Sequence, residues 1–170
     1  AAEIAASQMS SELAYDLVTK DTPQIREILD KVVLLLFPSH NPDGNIMVVD
    51  WYNKNVGTPY EAAPMPWLYH KYVGHDNNRD WYMLNLQETR VITQFYFKEW
   101  FPQMLYDIHQ MGRGGARLFV PPFLDPLNPN VHPIIWREIN LIGTNMFREL
   151  EEHGKTGVAD AISYTSWWQG

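Results

Sequence analysis

Residues 31–37 read KVVLLLF, an unbroken apolar run rich in branched side chains, followed almost at once by SHNPDG at 39–44. A run of this kind is the pattern of a central strand covered on both faces, because a strand between helix layers has no solvent side to keep polar. The NP and DG pairs then turn the chain sharply out of the sheet. Ligands of α/β sheets bind beyond the carboxyl ends of strands, so 39–44 lies on an eligible rim.

The rest of the chain is read around that strand. Residues 4–20 carry Met9, Leu13 and Leu17 on one helical stripe, with Glu3 at the first turn, where its charge suits the helix dipole. Thr22 and Pro23 are the cap and first position of a short helix reaching Asp30. Residues 45–81 form a long excursion with too little periodicity for regular elements. Its aromatic residues, including Trp51, Trp67, Tyr69 and Trp81, argue that it is ordered and walls a cleft. Asn85 and Glu88 fit a capping arrangement for a helix running to Trp100.

Residues 104–109 are a second strand candidate, ending at His109 on the same rim as Asn41. After the turn at Arg113, Gly114 and Gly115, residues 116–120 are a third. Ile135, Ile139, Ile142, Met146 and Leu150 recur at helical spacing, with Gly154 as the cap, and a short β-like piece spans 162–168. Helices interleaved with apolar strands indicate an α/β fold, a mainly parallel or mixed central sheet flanked by helices, in a single domain over 1–170.

Composition narrows the function. With 13 basic against 20 acidic residues and a net charge of −7, nothing tracks phosphates, so nucleic acid is a poor partner. No apolar run is long enough to cross a bilayer, and the absence of cysteine leaves the compartment open. The most concentrated polar stretch is HKYVGHDNNRDW at 70–81. In it, a guanidinium beside a side-chain amide, Arg79 and Asn78, is suited to grip a carboxylate. The alternative for Arg79 is an ordinary solvated arginine, and for His109 a satisfied histidine at a strand end. His40, His75, His132 and His153 read as structural, Asn41 and Asp43 as shaping their turn, and Asp80 and Asp107 as orienting groups behind a site.

NPDG after a hydrophobic strand, then NRDW, then a strand ending in DIH, in that order, resembles the zinc carboxypeptidases related to carboxypeptidase A. The resemblance covers nearly the whole chain. It implies a zinc site of two His and one Glu from an HxxE pair and a distant His, with Glu3 and His109 as the metal ligands present here. The first His of that pair falls three places before Glu3, ahead of Ala1. Together with termini lacking polar tails, this makes the chain an expected central fragment, an incomplete zinc-carboxypeptidase-like domain. The resemblance also implies that Asn78 and Arg79 bind the free C-terminal carboxylate of a peptide substrate. His70, in WLYHK, stands where the family places an oxyanion-stabilising arginine. The family's catalytic Glu and substrate-capping Tyr come from segments after the part matched here.

The implied activity is hydrolysis of the C-terminal peptide bond by a zinc-activated water, with little activity expected of residues 1–170 alone. The alternatives are a non-catalytic peptide- or glycan-binding member of the fold and a zinc amidohydrolase of N-acyl amino acids. Through the family, a secreted or periplasmic location is slightly favoured.

Overall fold

Thr22 and Asn41 each stand directly before a proline, and each opens a helix in the computed structural model, which describes residues 3–110, 114–125 and 127–163. A side-chain oxygen at the cap satisfies an N–H that the first turn leaves without an intrahelical partner, and proline fits the first position because it has no N–H to lose. Thr22 Oγ1 accepts from the Ile25 N–H at 3.2 Å, and Asn41 Oδ1 from the Gly44 N–H at 2.8 Å. With α1 (Ile4–Thr19) preceding them, these caps begin α2 (Pro23–Lys31) and α3 (Pro42–Asn55).

Packing divides the chain into two compact units, Ala1–His109 and Gln110–Gly170. The first unit is helical. Its apolar centre includes Leu17, Leu86 and Ile92, and Phe37 meets the rings of Phe95 and Tyr96 edge-on at 5.5 and 5.8 Å. A single-turn 3₁₀ helix at Asn77–Arg79 leads to α4 (Gln87–Gln94), which widens into a π-helical turn over Phe95–Trp100. Phe101, at φ 47°, ends it ahead of Pro102.

Three local expectations are corrected here. The NPDG stretch does not lead into an irregular excursion. It caps α3, because Asn41 and Pro42 make as good a helix start as a turn. Residues 32–37 lie outside any ladder among the described residues, with Val32, Val33 and Leu34 at least 48% exposed. A strand needs a neighbour for its backbone groups, and the elements bordering this segment in the chain are helices. Residues 104–109 likewise carry no ladder.

The second unit supplies the strands. β1 (Leu118–Phe119), β2 (Phe123–Leu124) and the long helix α5 (Pro133–Glu152) are followed by β3 (Val158–Ala159) and β4 (Ile162–Ser163). β1 pairs with β3 and β2 with β4, both in parallel, with Leu118 opposite Val158 and Phe123 opposite Ile162. Val120, 1% exposed, is the deepest apolar residue among the described residues of this unit. Gly154, at φ 68°, follows the end of α5 in the left-handed conformation that suits glycine. Arg113 and residues 164–168 of the expected β-like piece lie outside the described residues. The class is α/β with parallel pairing, as expected. The parallel ladders form in the second unit and not at 31–37.

Candidate functional site

The site begins at Asn41, which is 5% exposed. Its oxygen caps α3, while its Nδ2 donates to the Tyr69 carbonyl and to Asn77 Oδ1, each at 2.8 Å. One side chain therefore joins the start of α3 to two points of the loop before α4. Gly44 completes the junction, since a Cβ there would come 1.9 Å from the Tyr69 carbonyl oxygen. On the rim, the Tyr72 hydroxyl donates to Asp43 Oδ2 at 3.0 Å.

Beyond Asn77 the chain makes the 3₁₀ turn that carries Asn78 and Arg79. Asp76 caps it, accepting from the Asn78 N–H at 3.0 Å. Asn77 and Asp80 are buried, and Asn78 and Arg79 between them are exposed. Arg79 donates from Nη1 to the Asn78 carbonyl at 3.1 Å. The turn thus presents an amide and a guanidinium to solvent from a fixed base.

Asp80 forms that base and has no exposed surface. Its Oδ1 accepts from the Asn85 N–H at 3.0 Å and its Oδ2 from the Leu86 N–H at 2.8 Å, while His75 Nε2 lies 3.1 Å from Oδ1. Burial pushes the carboxyl pKa up, but these N–H donors, with the Thr89 hydroxyl and His75, outweigh burial and hold it below the ordinary carboxylate value. The expected capping role of Asn85 is corrected by the same geometry. Leu86 occupies the cap position of α4 without a side-chain cap of its own, and Asp80 accepts the N–H groups from outside the helix.

The expected metal ligands come together from opposite ends of the first unit. Glu3 stands at the cap position of α1 but makes no side-chain cap bond. Its Oε2 lies 2.9 Å from His109 Nδ1, 106 residues away in sequence. The other ring nitrogen, Nε2, lies 3.1 Å from Asp107 Oδ2. Hydrogen bonding to Asp107, opposed by partial burial and reinforced by the charges of Asp107 and Glu3, raises the His109 pKa to about 9. Asp107 is held down in return, first by His109. Metal-binding histidines commonly give one ring N–H to a carboxylate, the place Asp107 takes here, and keep the other nitrogen for the metal, the place the Glu3 carboxylate faces here. Among the described residues, no group of three or more His, Asp or Glu forms a metal-holding cluster.

Tyr69 is the residue that sequence reasoning passed over. Burial first, then the charge and hydrogen bond of Asp76 and the charge of Glu3, raise its phenol pKa, while Arg79 lowers it. Glu3 and Arg79 therefore act on a common group. In the sequence, Tyr69 is one aromatic among many in 45–81, with nothing to distinguish it.

His70 is buried in the loop before α4. Its Nδ1 accepts from the Tyr72 and Val73 N–H groups at 3.3 and 3.2 Å, which in the neutral ring puts the proton on Nε2. Nε2 lies 3.6 Å from Glu88 Oε1, and both residues line a cleft of about 660 Å³ with Phe37, His40, Val91 and Ile92. The remaining histidines have local settings. His40 packs against Trp81 at 5.1 Å, His75 meets Asp80, His132 accepts from the Ile134 N–H, and His153 contacts the Glu149 carbonyl. No helix among the described residues is long and apolar enough to cross a membrane.

No curated protein and no solved structure matches the chain. A family model described as zinc carboxypeptidase matches residues 1–101. That span contains Glu3, the NPDG cap, His70 and the turn bearing Asn78 and Arg79, and it ends short of His109. With more than half of its length matched, the chain belongs to the zinc carboxypeptidase family, a zinc-dependent peptidase family.

Proposed function

We propose that this chain contributes to removal of C-terminal residues from peptides, with Glu3 and His109 as zinc ligands and with Asn78 and Arg79 gripping the substrate's terminal carboxylate. The observation that carries this reading is the approach of Glu3 to His109 Nδ1 at 2.9 Å across the length of the first unit. A carboxylate and an imidazole suit zinc, and a catalytic zinc site takes three protein ligands and leaves a fourth position to water. Glu3 and His109 fit two of the three. When bound, zinc lowers the pKa of that water and polarises the scissile carbonyl.

The protein groups have separable tasks. Asp107 fixes the His109 ring so that Nδ1 faces Glu3. Arg79 and Asn78 select a free carboxylate through charge-assisted hydrogen bonds. His70, a donor through Nε2, is assigned the oxyanion role. The third ligand and a general base are required to complete hydrolysis, and no residue of 1–170 is assigned to either.

Two measurements test this. Zinc titration of the chain should show binding that is lost in Glu3→Gln and His109→Ala; equal affinity in all three proteins would remove the metal assignment. Arg79→Ala should weaken binding of a peptide with a free C-terminus by about 1.5–3 kcal/mol, the scale of a hydrogen bond to a charged group, and leave an amidated peptide unaffected. A second reading, a non-catalytic peptide-binding member, is favoured by the exposed Arg79 turn being complete without the metal ligands. Saturable, zinc-independent peptide binding without hydrolysis would select it.

A further inference from the structure

The four residues Asn77 to Asp80 separate holding from presenting, a buried residue at each end and two exposed ones between. Asn77 and Asp80 are 6% and 0% exposed, while Asn78 and Arg79 are exposed. The buried pair faces different supports. Asn77 is tied through Asn41 to the start of α3. Asp80 is tied through the Asn85 and Leu86 N–H groups to the start of α4, and through His75 to the incoming loop.

The backbone of the turn is closed by its own bonds as well. The Arg79 N–H donates to the Asp76 carbonyl at 3.0 Å, and the Met83 and Leu84 N–H groups donate to the Asp80 carbonyl at 3.1 and 2.8 Å. Leu84 adopts φ 54°, a conformation that a leucine holds only when its surroundings demand it. The segment from 75 to 86 is therefore folded back on the Asp80 carboxylate. Arg79 directly precedes that residue in the chain, and its own guanidinium bonds to the Asn78 carbonyl.

We propose that Asp80 is a positioning residue for Arg79 and Asn78: its buried carboxylate, bridging the Asn85 and Leu86 N–H groups and His75, holds the turn in the orientation that grips a substrate carboxylate. This rests on the reading of Arg79 as the carboxylate clamp. Preorganisation of this kind matters because a small displacement of a binding group lowers its contribution steeply. Asp80 itself touches no substrate, being fully enclosed.

The test is a mutant cycle on the full chain, with a blocked dipeptide bearing a free C-terminal carboxylate and its C-terminal amide as the two probes. Wild type should prefer the carboxylate form, and Arg79→Ala should abolish the preference. Asp80→Asn should reduce it about tenfold or more while leaving affinity for the amide nearly unchanged. Introduced into Arg79→Ala, it should cause no further change, since a residue acting through Arg79 has nothing left to position.

If Asp80→Asn keeps the preference while Arg79→Ala loses it, the positioning role is wrong and the clamp stands. If it weakens both probes equally, Asp80 supports the fold alone, and the inference is overturned. If wild type shows no preference, the clamp reading fails and the inference with it. Should Asp80→Asn lack a native melting transition, Asp80→Glu, which keeps the charge but displaces the carboxylate by one methylene, is read in the same way.

Discussion

The two charged centres of the first unit are built on opposite plans. Around Asp80 the carboxylate is fully enclosed and satisfied mainly by backbone N–H groups, so its geometry is fixed by the fold. Around His109 the three side chains are 39–61% exposed and held by one another's charges. The first arrangement is rigid before any ligand arrives. The second is adaptable, as suits groups whose final spacing a metal ion would set. Under the proposed roles, recognition of the substrate's end and assembly of the metal centre would depend on different parts of the sequence and should fail independently.

The largest expected effect breaks the rigid centre. Asp80→Ala leaves two buried N–H groups without acceptors and should destabilise the unit by about 3 kcal/mol in urea unfolding. A loss below about 1 kcal/mol would mean that water replaces the carboxylate and that the contrast with His109 is overstated. The same group gives a signature in acid. Its folded pKa lies below the unfolded value of about 3.9, so its contribution is fully present above that pH and is lost as pH falls through the folded pKa. Wild type should lose stability below about pH 4 by a component that Asp80→Asn lacks.

Next in size is Asn41→Ala, which removes the α3 cap together with both donor bonds into the loop, for about 2 kcal/mol. Backbone amide exchange should rise at Gly44 and across Asn77–Arg79 together. A rise confined to Gly44 would show that the loop is held from the α4 side alone.

The smallest stability change is expected at the exposed centre. Asp107→Asn should cost less than about 1 kcal/mol, yet it should move the His109 titration in the metal-free chain from about 9 toward about 6.5. Imidazole NMR reads this directly. An unmoved titration would transfer the ring's orientation to Glu3.

Much of this architecture could be read locally. Thr22 with Pro23, the helical spacing in α5 and Gly154 after it all act within a few residues, and the structure follows them. Other signals were ambiguous because the same residues serve two ends. Asn41 and Pro42 read as a turn but cap a helix, since both uses exploit the same side-chain oxygen and the same missing N–H. The apolar run at 31–37 satisfied the pattern of a central strand. Whether such a run becomes one depends on a partner, and among the described residues the ladders form at 118–163.

The site divides in the same way. Asn78 and Arg79 stood out in the sequence because an amide and a guanidinium are adjacent there, and the structure places both exposed on one turn. Asp80 gave a weaker signal, and the extent of its role did not show, because the N–H groups it binds belong to the backbone and leave no trace in residue type. Tyr69 was invisible among so many aromatics. The sequence by itself determined which helices begin where, and supplied a carboxylate, an imidazole and a guanidinium suited to this family's chemistry. Only the tertiary structure decided that Glu3 and His109, 106 residues apart, meet, and that a buried aspartate anchors the turn bearing Asn78 and Arg79. Contacts of that range are set by how helices pack and loops close, and no short stretch of residues specifies either.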